Sequence, residues 1–593
     1  MTAPTRLLAD RFRAALSGGF APEYAAVDPV IRPSQFADYQ ANVALALGKR
    51  LGLPPREVAD RLVQHLEVAD VCLPAQVSGP GFVNLTLRPE WLAEQLDALA
   101  DDPRLGVPEQ EQQTVVIDYS APNVAKEMHV GHLRTTVVGD ALARILEHLG
   151  HRVVRQNHIG DWGTPFGMLL EHLLDVGEDS AQARELTEDP NSFYQAARVK
   201  FDSDESFAER ARRRVVALQA GDEETSRLWR ELIELSTSYF NRVYADLDIT
   251  LTDEDLAGES GYNAALPGIC DDLESMGIAT HSEGALCVFL QGYTGREGKP
   301  VPLIIRKSDG GYGYATTDLA TVKHRVDDLG ADRLLYVIGA TQELHLQMVF
   351  ETARRAGWLP ERVEVAHVRI GNVLGTDGKI LRTREGAPVR LMALVDESVA
   401  RAAEVVGQAR PELPAADRDL IARQVGIGAL KYADLSVSHE SEYTFDFGRM
   451  LALHGNTGPY LQYAAARIRS ILRKAGSAAP RSGGPAGSEA GDSAGSDPGG
   501  PVVIGEEAER ALAIVLLGFG EAVDHVGHTC APHQLCAYLF DLAQAFTTFY
   551  EACPVLRAAD PTVRASRLAL CSLTLAVLEQ GLGLLGISAP DEM

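Results

Sequence analysis

The sequence predicts a parallel-sheet α/β domain, with a small α+β unit before it and an all-α region after it. Three observations predict this. First, the β-rich run TVVIDYS (114–120) leads through a loop into a helix with Leu133, Val137, Ala141, Ile145 and Leu149 on one face. A second β-rich run, opening RVVRQNHIGDWG, follows it. Strand, loop, helix and strand make one right-handed parallel crossover. Second, helical periodicity dominates from about Leu391 onward. Third, a chain of 593 residues exceeds one core and implies several domains.

The elements follow in order. In residues 1–110, ADYQANVALALGKRLG and PREVADRLVQHL read as helices, and QVSGPGFVNLTL as two short strands around a Ser-Gly-Pro-Gly turn. Pro108 to Gln113 is a polar joint. Residues 111–395 form the α/β domain. Gly150 stops its first helix, a charged helical insertion is expected over about 170–285, and LYVIGA (Leu335 to Ala340) is a later strand. HVRIGNVLGTDGKILRTREG carries a loop rich in Gly, Lys and Arg. Residues 396–475 read as a helical stem. Residues 476–501 are rich in Gly, Ser and Pro and hold no large apolar side chain, which predicts a flexible insert. Helical periodicity resumes over 502–593.

Composition narrows the function classes. At 46% hydrophobic and 23% charged, the chain has the balance of a soluble globular protein. No apolar run approaches the ~20 residues of a membrane helix, and the N-terminus lacks the apolar core of a signal peptide. A cytoplasmic protein with no membrane partner is expected. Cys72, Cys270, Cys287, Cys530, Cys536, Cys553 and Cys571 include no C-x-x-C pair, so neither a zinc knuckle nor a disulfide framework is indicated. The formal net charge of -27 argues against a non-specific nucleic-acid coat. Local basic surfaces remain open at Arg210, Arg212, Arg213 and Arg214, and at Arg467, Arg469, Arg473 and Lys474. On charge alone each reads as a solvated helix face.

The segment NVAKEMHVGH, Asn123 to His132, concentrates chemistry. His129 and His132 are three apart, and on a helix both could reach one metal. The pair lacks the intervening Glu and the four-residue spacing of a metalloprotease helix. Two polar residues at a helix start is the blander reading. A third comes from context. The pair stands at the carboxyl end of a parallel strand, where open α/β sheets bind ligands. A helix N-terminus there offers free N–H groups and positive potential to phosphates. Gly131 would let a flat base approach the backbone, and Lys126 adds a positive charge.

The long string SAPNVAKEMHVGHLRTTVVGDALARILEHLGHRVVRQNHIGDWGTPFG resembles the arginyl-tRNA synthetases, with H-V-G-H similar to the class I H-I-G-H signature. The resemblance continues in DYQANVALAL, SGPGF, IIRKSDGGYGYATTDLATVKHR, LYVIGATQELHLQMVF, GNTGPYLQYAAARI, FYEACPVL and GLLGI, in the family's order. It covers nearly the whole chain outside the Gly/Ser-rich insert. It implies a Rossmann-like catalytic domain, an N-terminal domain touching the tRNA elbow and an anticodon-binding helical bundle. The implied reaction activates arginine with ATP and Mg2+ to arginyl-adenylate, then moves arginine to the terminal ribose of its tRNA. No protein-bound zinc and a monomer are expected.

The resemblance also implies roles. His129, Gly131 and His132 would hold ATP, with Lys379 and Arg382 on its pyrophosphate side. Lys126 would neutralise the α-phosphate under attack. Ser120 and Asn123 would hold the α-amino and carboxyl groups of arginine. Asp118, Tyr314, Asp318 and Gln342 match the pocket for its guanidinium, a planar fork of donors that demands carboxylate and flat polar partners. Arg467, Arg469 and Arg473 would contact tRNA phosphates. Without the resemblance these residues have plainer readings. Tyr314 and Asp318 could face solvent at a helix start, Asp118 could bond the next turn, and His158 and Trp162 could be core. Trp162 is read as packing.

The sequence departs from the family at the loop where class I enzymes carry K-M-S-K-S. Here it reads GKILRTREG, Gly378 to Gly386, with Ile380 where a second lysine is common. Lys379, Arg382 and Arg384 still supply charge. In arginyl enzymes the lysine before H-V-G-H compensates for a degraded loop, and Lys126 fits that role. Ala465 stands where histidine is frequent, and Glu592 where arginine is usual. These changes motivate a second reading, a specialised or catalytically impaired paralogue. A histidine metalloenzyme is a third, and it would carry stoichiometric zinc or iron.

Overall fold

A computed structural model describes residues 3–188, 190–294, 298–382, 389–476 and 501–593. Arg384 and nearly all of the 476–501 insert lie outside the described residues.

The N-terminal unit holds α1 (Pro4–Gly19), β1 (Ile31–Pro33), β2 (Tyr39–Ala41), α2 (Val43–Leu51), α3 (Pro55–His65), β3 (Gln76–Ser78), β4 (Phe82–Leu85) and α4 (Pro89–Ala100). Its antiparallel sheet runs β1-β2-β4-β3. Leu8, Phe12 and Leu16 recur every four residues along α1 and are fully buried, as an amphipathic helix requires.

The catalytic region starts with β5 (Thr114–Asp118), α5 (Val130–His148) and β6 (Arg152–Gln156). After them come α6 (Thr164–Val176), α7 (Ala181–Glu188), α8 (Pro190–Ser203), α9 (Glu205–Gln219), α10 (Glu223–Asp246) and α11 (Leu266–Ser275). β7 (Ala279–Ser282), β8 (Ala285–Thr294) and β9 (Pro300–Arg306) then form a separate antiparallel sheet. The helical insertion therefore ends at Ser275, ahead of the expected 285. Leu286, Val288 and Leu290 alternate inward along β8, a two-residue period that favours strand.

α12 (Tyr314–Asp327), β10 (Arg333–Gly339), α13 (Glu343–Arg355) and β11 (Glu364–Ile370) complete the main sheet. That sheet is all parallel in the order β11-β10-β5-β6. β5 is central, pairing Asp118 with Tyr336 on one side and Gln156 on the other. Val115, Val116 and Ile117 are consequently buried on both faces, which explains the unbroken apolar run. The chain leaves β5 toward β6 on one side and returns later to β10 on the other. The carboxyl end of β5 is thus a switch point, where a crevice opens.

The C-terminal region is helical: α14 (Leu391–Ala409), α15 (Ala415–Leu435), short α16 (Phe447–Met450), α17 (Gly458–Ala475), α18 (Glu507–Leu516), α19 (Phe519–Thr529), α20 (His533–Ala552) and α21 (Pro561–Leu584). Contrary to the expectation from apolar runs, α21 is long and apolar enough to cross a membrane by length and composition alone. Most of it is buried inside the bundle, so core packing accounts for its character. All seven cysteines are free and buried.

One buried ion pair joins the two regions. Arg134 on α5 donates to Asp434 Oδ1 on α15 at 2.5 Å and to the carbonyls of Gly371 and Ser441 at 3.0 and 2.8 Å. Both side chains are essentially inaccessible. Arg134→Met strands the Asp434 carboxylate in the interior and is expected to destabilise the protein by about 3–5 kcal/mol. A denaturant midpoint unchanged from the parent would contradict this. Arg134→Met with Asp434→Leu should recover most of the loss, because no charge is then left buried.

Candidate active site

β5 delivers the chain into a loop held in costly backbone. Ser120, Ala121 and Ala125 all have positive φ, at 69°, 47° and 59°. Buried side chains over-determine this shape. Asn157 accepts the Ala121 N–H on Oδ1 at 3.1 Å and donates from Nδ2 to the Tyr244 hydroxyl at 3.0 Å. That hydroxyl lies 2.8 Å from Ser120 Oγ, which also accepts from Thr136 at 2.9 Å. Ser120 is 3% exposed. Its expected contact with substrate is corrected: the hydroxyl is spent inside the fold, where it shapes the loop. Asn123 is exposed and pairs through its backbone with Gly160. A Cβ on Gly160 would stand 2.7 Å from Asn123 Oδ1 and would push that side chain aside.

The two histidines form the start of α5. His129 is the N-cap; its Nδ1 accepts the Gly131 N–H at 3.0 Å, and its own N–H donates to His132 Nδ1 at 3.0 Å. This reciprocal capping box satisfies donors the helix leaves open. A Cβ on Gly131 would meet His129 Cε1 at 2.8 Å. Burial first, then Lys126, lowers the His129 pKa. Burial, then His129 and Lys126, pulls His132 down to about 3. Both rings are therefore neutral at pH 7. With each Nδ1 accepting, the ring protons reside on Nε2, leaving two neutral donors at a helix N-terminus. Among the described residues no group of three or more His, Cys, Asp or Glu side chains gathers to hold a metal. Lys126 is half-buried, and its ammonium rests 4.1 Å above the Tyr194 ring of α8.

The segment after the Gly/Lys/Arg loop is stitched to this motif. Val130 N–H donates to Val389 O and Leu391 N–H to Met128 O, both at 2.9 Å. Lys379 sits in a tight turn, where Gly375 N–H donates to Lys379 O at 2.7 Å. Lys379 and Arg382 are exposed.

A second group of side chains is acidic. Tyr314 opens α12 and is 72% exposed; Asp318 follows one turn later. His345 Nε2 donates to Asp318 Oδ2 at 2.5 Å. Gln342 is exposed just before α13. Glu259 joins them, although nothing singled it out in the sequence. Burial first, then the charges of Asp161 and Asp318, pushes its pKa up to about 8. Asp161 holds the Glu259 turn in place by accepting Ser260 N–H at 2.8 Å and Ser260 Oγ–H at 2.6 Å. Glu259 in turn contributes to raising the Tyr314 hydroxyl, behind burial.

Two further expectations are corrected. Asp118 is 3% exposed, and Arg325 donates to its Oδ2 at 2.7 Å in a fully buried pair. An internal guanidinium holds this carboxylate inside the fold. Arg469 is 4% exposed, with its guanidinium bound to Glu579 at 2.7 Å and to the Pro590 carbonyl at 2.5 Å. Its burial removes it from any nucleic-acid surface. Arg467 lies over Tyr550 at 4.5 Å, and Arg473 remains exposed. Trp162 packs edge-on against Trp229 at 6.1 Å, and the His158 ring lies 5.9 Å from Tyr262.

Two chemistries are thus present: neutral imidazole donors with a lysine, which suit phosphates, and the carboxyl groups of Asp318 and Glu259, which suit a cationic side chain. Comparison with known proteins agrees. Residues 95–447 match the model for "tRNA synthetases class I (R), catalytic domain", residues 461–593 that for "DALR anticodon binding domain", and residues 6–87 that for "Arginyl tRNA synthetase N terminal domain". An arginine–tRNA ligase of Thermobifida fusca is 66% identical, and one of Frankia casuarinae 51%, each over the full length of both chains. The solved arginyl-tRNA synthetases of Plasmodium falciparum and Thermus thermophilus superpose with TM-scores of 0.82 and 0.79 at 26% identity, covering both chains completely. With three family models in order along the chain and relatives matching it end to end, this protein belongs to the arginyl-tRNA synthetases, class I.

Proposed function

We propose that this chain is an arginine–tRNA ligase: it activates L-arginine with ATP to arginyl-adenylate and transfers arginine to the 3′-terminal ribose of arginine tRNA. The observation that carries this reading is the pair of neutral imidazoles, His129 and His132, capping α5 at the carboxyl end of β5, in a chain that also gathers the carboxyl groups of Glu259 and Asp318 close to each other. His129 and His132 donate to ATP phosphate oxygens, and Gly131 leaves its backbone open beside them. Lys126 swings from Tyr194 to the α-phosphate as charge builds there. Lys379 and Arg382 serve the pyrophosphate side. Asn123 and Gln342 hold the α-amino and carboxyl groups of arginine. Asp318, Glu259 and Tyr314 take its guanidinium. Mg2+ arrives with the phosphates of ATP. Arg467 and Arg473 contribute to the tRNA surface. Seven buried free thiols fit a reducing cytoplasm, where we expect a monomer.

Full-length protein should catalyse arginine-dependent ATP–pyrophosphate exchange with arginine tRNA present, and should charge that tRNA. Failure to charge it under any condition would overturn the reading. Retention of Asn123, His129, His132 and Asp318 disfavours the impaired paralogue, since a dead site has no need of the set.

A pH dependence follows from Glu259. Burial and the neighbouring charges of Asp161 and Asp318 hold its pKa at about 8, so at pH 7 the carboxyl is mostly protonated. A bound guanidinium favours the carboxylate and lowers that pKa, so binding expels a proton. The arginine Kd should fall as pH rises from 6.5 toward 8, approaching about tenfold per unit, and flatten above. Calorimetry in buffers of different ionisation enthalpy reads the released proton. Glu259→Gln should weaken binding and flatten the profile; a profile unchanged in slope would refute the assignment.

A further inference from the structure

The backbone around Lys126 is gripped from two directions, and one side chain is common to both. Asn191, at the start of α8, donates from Nδ2 to Glu127 Oε2 at 2.7 Å and accepts the Glu127 N–H on Oδ1 at 3.3 Å. Tyr194 lies one turn further along α8 and carries the Lys126 ammonium. The helix that Glu127 grips is thus the helix on which Lys126 rests. From the other side, Arg390 Nε meets the same Glu127 oxygen at 2.9 Å. Arg390 is no distant partner. Its backbone pairs with His129, and its neighbours Val389 and Leu391 bond to Val130 and Met128.

A carboxylate beside the lysine is electrostatically awkward in a site that binds a polyphosphate, because it opposes the ligand's charge. Glu127 is also only 15% exposed, so solvent screens it little. Its charge is tolerable because Arg390 neutralises it and Asn191 bonds it. The geometry rewards such a group only if it orders something. What it orders is the stretch from Ala125 to Met128, in which Ser236 holds the Ala125 N–H at 3.0 Å and Tyr239 the Met128 N–H at 3.3 Å. Ala125 is itself left-handed, at φ 59°, so this stretch needs outside bonds to keep its shape.

We propose that Glu127 is a positioning residue for adenylate formation: it ties Lys126 to α8 through Asn191 and to the His129–His132 phosphate site through Arg390, fixing where the ammonium can reach. This rests on the reading of Lys126 as the α-phosphate cation. Glu127 touches no reacting atom; it acts through the lysine.

The test is a mutant cycle on the full chain, by ATP–pyrophosphate exchange with arginine tRNA present. Glu127→Gln should lower kcat at least tenfold and leave the arginine KM within twofold. In a Lys126→Ala background the same change should cost less than threefold, because its target is gone. Arg390→Gln, at the half-exposed end of the pair, should give a smaller loss that also vanishes without Lys126, and Arg390→Lys should recover part of it. This second cycle decides the matter if Glu127→Gln fails to fold, which loss of arginine binding in calorimetry would reveal. Equal losses in both backgrounds would overturn the positioning role alone. Full activity in Lys126→Ala would overturn both it and the reading beneath it.

Discussion

Lys126→Ala is expected to lower the rate of arginyl-adenylate formation by about 10²–10³-fold, the usual consequence of removing one donor to developing charge. In the resting protein the ammonium is stored on Tyr194 at 4.1 Å, close enough to the histidines to help depress both their pKa values. The neutral rings can donate hydrogen bonds but carry no charge. The loop that usually brings lysines has Ile380 in place of one, half exposed. In the proposed reading Lys126 supplies the full positive charge at the α-phosphate. Rapid-quench measurement of adenylate with tRNA present checks this. The loss should fall on the chemical step, with arginine affinity nearly unchanged. An unaltered rate would show that Lys379 and Arg382 suffice.

Asp318→Asn should lower kcat/KM for arginine by about 30- to several-thousand-fold, equivalent to the 2–5 kcal/mol lost when one partner of a buried charge pair is truncated. Two effects combine. The guanidinium loses a carboxylate acceptor, and His345, which donates to Asp318 at 2.5 Å, loses its charged partner. The loss should be specific to charge. Citrulline, which is neutral and nearly the same shape, should gain relative to arginine in the variant. Equal losses for both ligands in competition binding would mean that Asp318 only supports the fold. Canavanine, with a weaker guanidinium base, should sit between the two.

Much of the chemistry was legible in short strings. The 114–156 stretch declares strand, helix and strand by period alone, and the structure builds β5, α5 and β6 there. From that crossover follows the place of His129 and His132, because the carboxyl end of a parallel strand is where a helix N-terminus faces a crevice. What period and motif could not supply was which side chains point inward. Asp118 and Ser120 read as substrate ligands because their positions match the family's motif. One is paired with Arg325, 207 residues away, and the other with Tyr244, 124 away. Arg469 read as surface because its neighbours are basic, yet residues from the chain's end close over it. Glu259 had no signal at all. Its significance arises from Asp161, which anchors the adjacent Ser260 from 99 residues upstream.

By itself, then, the sequence determined the order of the elements, the parallel crossover and the place of the His129–His132 motif at a helix start. These depend on local periodicity and on contiguous motifs, which the chain carries from one residue to the next. Tertiary structure alone decided the protonation of the histidines, the contact of Lys126 with Tyr194, and the gathering of Glu259, Asp161 and Asp318. Those properties depend on burial and on charges brought close through space, and distance along the chain does not encode either.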